Sequence, residues 1–112
     1  MSKALLPDVT PELAKKRREL APDAFSAWLQ FSKAVFAEGE LSAVTKQLIA
    51  VAVAHVTQCP YCIKSHTKEA LKQGASEEQI MEAIWVAAEM RSGGAYAHSV
   101  IAIDTMHDHA GK

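Results

Sequence analysis

Apolar residues recur along this chain at spacings of three and four, and no stretch alternates polar and apolar positions cleanly. The pattern predicts helices and no strands. Thr10-Pro11-Glu12 supplies a cap, a first-turn proline and an acidic first turn for a short helix to about Leu20. Pro22 restarts the chain, and Phe25, Trp28, Leu29, Phe31, Val35 and Phe36 form a broad apolar stripe up to Gly39. Ser42 caps a third helix whose Leu48, Ile49, Val51, Ala52 and Val53 make it apolar nearly all round, the pattern of a central bundle helix. A fourth begins around Cys59-Pro60 and ends at Gly74, a left-handed stop. Ser76-Glu77-Glu78-Gln79 reads as a capping box for a fifth, with Ile80, Ile84, Ala87 and Ala88 on one face. Gly93-Gly94 is expected to break it. A last helix then runs from about Ala95 to Met106 with Val100, Ile101 and Ile103, and the tail to Lys112 frays. The expectation is one all-α domain, residues 1–112, of about six helices.

Composition narrows the picture. Of the 112 residues 49% are hydrophobic but only 6% aromatic, so the core is built from Ala, Val, Ile and Leu, and self-association is a ready way to extend it. Twelve basic against thirteen acidic side chains give a formal net charge of −1, which provides no overall field for nucleic acid. Lys15-Lys16-Arg17-Arg18 reads as a solvated helix face. Between Lys3 and Pro7 stand only Ala4, Leu5 and Leu6, too few for the apolar region of a signal peptide, and no apolar run approaches a membrane span. The expected setting is the cytoplasm, with no membrane and no nucleic-acid partner. In a reducing compartment a C-x-x-C pair points to catalysis or metal binding rather than to a structural disulfide.

The chain's two cysteines both lie in Cys59-Pro60-Tyr61-Cys62-Ile63-Lys64-Ser65-His66. With Pro60 in the first turn, Cys59 is the N-cap and Cys62 the third helical position, so both sulfurs stand near unpaired N–H groups and the positive end of the helix dipole. That setting favours thiolate. A spacing of three also brings the sulfurs within reach of a disulfide. His66, four residues after Cys62, shares its face and can relay a proton. Cys62 is then a nucleophile with a base beside it, and Cys59 can resolve its adduct. Two other readings stay open: a helix start whose cysteines are small hydrophobes, and a tetrahedral zinc site drawing on His55, Cys59, Cys62, His66 or His98.

The block Thr45 to His66, TKQLIAVAVAHVTQCPYCIKSH, resembles the AhpD-like branch of the carboxymuconolactone decarboxylase family, and the later GASEEQIMEAIWVAAEMRSGGAYAH is similar to it as well. The resemblance covers about Phe25 to Ile103. It implies an AhpD-like helical bundle, commonly a homo-trimer or homo-hexamer, and a thiol-dependent peroxidase acting on hydroperoxides with a thiol or dithiol as electron donor. Carried over, Cys62 is the peroxidatic nucleophile, Cys59 the resolving thiol and His66 the relay base. No cofactor or metal is expected. A reductase donating electrons to a partner peroxidase, and lactone or small-acid chemistry using His66, His98 or Glu89, are the neighbouring alternatives.

Two departures from the family pattern matter. Its glutamate twelve residues before the first cysteine is Gln47 here, and its histidine before the second cysteine is Tyr61. A glutamine can orient an imidazole but cannot take its proton or hold an imidazolium by charge. His55, on the helix of Gln47, and His98, after the glycine pair, are the candidates to compensate. Tyr61 could donate to a thiolate or peroxide oxygen. His107 and His109 read as surface residues.

Overall fold

A computed structural model describes residues 5–111 of the chain; Lys3 and Ala4 of the N-terminal stretch, and Lys112 at the other end, lie outside them. Among the described residues there are five helices and no strands: α1 (Pro11–Leu20), α2 (Pro22–Phe36), α3 (Ala43–Thr57), α4 (Pro60–Lys72) and α5 (Glu77–Ala110). They fall into two compact units, one ending at Ala37 and one beginning at Glu38.

The first unit holds α1 and α2. Thr10 accepts from the Leu13 N–H at 3.2 Å, and Pro11 and Pro22 open the two helices as proline does where no N–H partner is needed. The basic run is spread along α1. Lys15 approaches Glu19 at 3.8 Å, and the Arg18 guanidinium lies 5.9 Å from the Phe25 ring centre. Phe25 stacks on Trp28 at 6.5 Å.

The second unit is organised around α3, which packs against both α4 and α5. Ser42 caps it, accepting from the Thr45 N–H at 3.2 Å. Val51, Ala70, Ala75 and Ile80 form the buried centre, with Val44, Leu48 and Ile84 packed against it. Three helices contribute to this cluster, and its alanines let their backbones approach closely. Full burial of Val51 is worth about 2 kcal/mol. The expected central position of the most apolar helix is therefore met.

Gly74 ends α4 as expected, at φ 100°, with the Ala75 N–H reaching back to the Ala70 carbonyl at 2.9 Å. The Ser76–Gln79 capping box is present in both directions, at 2.9 and 3.0 Å. The glycine pair, however, does not break the chain. α5 continues through Gly93 and Gly94 for 34 residues, about 51 Å, so the fifth and sixth expected helices are one. The reason is energetic: a glycine in a helix interior costs roughly 1 kcal/mol against alanine but keeps its N–H in the ladder, and no proline follows to stop it. The tail is also more regular than expected, since His107 and His109 stand in the last helical turn, where cations suit the dipole.

Candidate active site at the start of α4

The site grows out of the turn between α3 and α4. At its centre is the Ala54 carbonyl, which accepts from the Gln58 N–H and, at 3.1 Å, from the Cys59 N–H. This closure requires Gln58 to adopt φ 58° and ψ 48°, a left-handed conformation that non-glycine residues seldom take. The chain leaves the turn with Cys59 extended, at φ −104° and ψ 99°, as the N-cap of α4. Pro60 fills the first helical position, and Cys62 the third.

Cys59 and Cys62 are joined as a disulfide with their α-carbons 5.3 Å apart, within the ordinary range for such a bridge. The Cys59 sulfur also accepts from the Cys62 N–H at 3.2 Å and so serves as the side-chain cap of α4. Both residues are half-buried. The Cys59 sulfur thus faces a backbone N–H at the positive dipole end of α4, a setting that stabilises negative charge.

One turn along α4 stands His66, also half-buried. Its Nδ1 lies 2.8 Å from Oε1 of Gln47, on α3. A carbonyl oxygen only accepts, so Nδ1 carries the hydrogen of this bond, and in the neutral ring Nε2 is the acceptor nitrogen. Gln47 is 5% exposed and is the buried polar residue of the second unit. Its depth fixes the amide, and the amide fixes the ring.

The other candidates are held elsewhere. His55 donates from Nδ1 to the Val51 carbonyl at 2.7 Å, one turn back on its own helix. His98 does the same to Gly94 at 2.9 Å, in the exposed part of α5. Tyr61, between the two cysteines, is 38% exposed. Glu89 is exposed, with a carboxylate oxygen beside Gly93. Among the described residues no group of three or more His, Cys, Asp or Glu side chains is placed to hold a metal ion.

One neighbour went unread in the sequence. Arg91, on α5, donates from Nη1 to the Val56 carbonyl at 3.5 Å, reaching the last turn of α3 just ahead of Gln58 and Cys59. The available signal was its position: Arg91 follows Ile80, Ile84 and Ala87 at helical spacing, a charge on the stripe that faces the core.

Comparison with known proteins places this arrangement. The sequence profile described as "Carboxymuconolactone decarboxylase family" matches residues 22–105. A Paracoccus denitrificans protein named "Uncharacterized protein 4 in cox locus" is 70% identical over 73 residues, 65% of this chain and 66% of that protein. The chain therefore spans just under two thirds of that relative's length. Among solved structures, a protein from Methanobacterium thermoautotrophicum superposes with a TM-score of 0.70 at 35% identity, over 74% of this chain and 93% of that one. The apo form of a carboxymuconolactone decarboxylase family protein from Legionella pneumophila gives a TM-score of 0.69 at 32% identity, over 90% of this chain and 89% of that one. With its helical fold, its paired cysteines and this breadth of match, the chain belongs to the carboxymuconolactone decarboxylase family.

Proposed function

We propose that the protein is a thiol-dependent peroxidase that reduces hydroperoxides by cycling Cys59 and Cys62 between dithiol and disulfide. In the reduced state Nε2 of His66 accepts the Cys62 thiol proton. The thiolate attacks the terminal oxygen of the hydroperoxide and the O–O bond breaks. The proton then passes to the leaving alkoxide, giving an alcohol and a Cys62 sulfenic acid. Cys59 attacks that sulfur, the disulfide forms and water leaves. A dithiol donor restores the pair and is itself oxidised to a disulfide. One hydroperoxide and two thiols thus yield one alcohol, one water and one disulfide.

The observation that supports this most is the disulfide at the start of α4 with a histidine one turn on, its ring fixed by a buried partner. Gln47 cannot carry a proton, so the proton from Cys62 stays on His66 until the alkoxide takes it. We further propose that the working form is a homo-trimer or homo-hexamer and that it acts in the cytoplasm. No helix among the described residues is long and apolar enough to cross a membrane.

The decisive experiment supplies a hydroperoxide and a small dithiol, with no other protein, and follows peroxide consumption. The wild type is expected to turn over, Cys62→Ser to fall to the rate of the dithiol alone, and Cys59→Ser to accumulate a trappable sulfenic acid. Full turnover by Cys62→Ser would sink the proposal. A wild type that ignores peroxide yet reduces protein disulfides would make it a reductase instead.

A further inference from the structure

We propose that Arg91 is a positioning residue of the redox pair: it holds the last turn of α3, from which the chain passes through Gln58 to Cys59, and its charge favours the reduced, thiolate-bearing state over the disulfide. This rests on the dithiol reading above and concerns a residue outside the motif.

The turn between α3 and α4 is closed locally by the bonds to the Ala54 carbonyl, including one from the Thr57 hydroxyl at 3.4 Å. Those contacts tie the turn to α3 alone. Arg91 brings a contact from α5, 35 residues away in sequence, and grips the Val56 carbonyl, three residues before Cys59. Gln58, between them, holds a left-handed conformation that relaxes readily if its neighbours let go.

The guanidinium is also a charge in a telling place. Three residues span at most about 11 Å of chain between the α-carbons of Val56 and Cys59, so the cation stands at the same end of α3 as the first sulfur. Among the described residues no carboxylate is paired with Arg91, and one hydrogen bond uses a single nitrogen of a side chain with five donors. A disulfide is neutral. Reduction by an external dithiol, which becomes a disulfide and releases a proton, leaves one thiol and one thiolate on the protein. A fixed positive charge nearby stabilises that product and not the starting state. The same charge complements the carbonyl end of α3.

The test equilibrates oxidised protein with dithiothreitol and measures the ratio of dithiol to disulfide for the wild type, Arg91→Met, Arg91→Gln and Arg91→Lys. Loss of the charge is expected to shift the equilibrium toward the disulfide by about two- to fivefold, with Arg91→Lys close to the wild type. Alkylation of the reduced pair at neutral pH should slow in the same variants and be rescued in Arg91→Lys. A merely structural arginine would alter melting without this charge-dependent order. If Arg91→Met does not fold, Arg91→Gln carries the comparison. A wild-type ratio retained in the uncharged variants, or an Arg91→Lys shifted as far as they are, overturns the inference while leaving the dithiol reading intact. A wild-type pair that never exchanges with dithiothreitol removes the dithiol reading itself.

Discussion

Gln47 is the residue on which the proposed chemistry turns. A carboxylate in its place would hold an imidazolium by charge; an amide holds the ring by geometry alone, through one 2.8 Å bond to Nδ1. Two substitutions separate these effects. Gln47→Leu leaves the Nδ1–H without its acceptor, and both folding stability, by about 1–3 kcal/mol, and peroxide turnover should fall. Gln47→Glu supplies the missing charge and should raise turnover by about tenfold or more, measured with hydroperoxide and a small dithiol as above. A Glu variant no faster than the wild type would mean that proton transfer through His66 does not limit the rate. The dithiol was legible in sequence because spacing, proline and cap coincide at Cys59-Pro60. That His66 meets Gln47 was legible only by analogy, since the bond joins residues 19 apart on different helices. Arg91 was legible only as a charge on the inner stripe of α5 and not through its contact, because its partner is a backbone carbonyl and carbonyls leave no mark on a sequence.

Helix starts were legible: Thr10, Ser42, Cys59 and Ser76 accept a backbone hydrogen bond where the sequence expects it, and α2, whose Ala21 offers no capping side chain, opens on Pro22. Helix ends were less so. Gly74 was read correctly, whereas α3 ends on Gln58, which takes the left-handed conformation without being glycine. Gly93-Gly94 was misread as a stop because glycine weakens a helix without forbidding one. The structure converts that misreading into a measurement. A β-carbon at Gly94 would meet nothing within 4 Å, and one at Gly93 only the movable end of Glu89. Gly94→Ala should therefore raise stability by about 0.5–1 kcal/mol in thermal or urea unfolding. A loss instead would reveal close approach of another molecule at this point on α5.

At the scale of the whole molecule the core is small for the apolar surface the chain carries. On α5 alone Trp85, Val86, Met90, Tyr96, Val100 and Ile101 are each at least 60% exposed. On α3, Ile49, Val53 and Val56 are 45–51% exposed at helical spacing. Surfaces of this kind mark association, in keeping with a composition that left the core short of aromatics. Native mass measurement should find a multiple of 12.1 kDa, and Val100→Glu with Ile101→Glu should shift the mass toward a single chain. A wild type that sediments as one chain at micromolar concentration would refute the proposed assembly. The unbroken α5 joins the site's end of the molecule to this apolar surface. Arg91, bonded to the last turn of α3, and Val100, on the distal apolar surface, are nine residues apart on one rod, about 14 Å. In the proposed assembly a partner seated on the distal half would bear on the Arg91 grip only through Gly93-Gly94, the two positions of α5 that resist bending least.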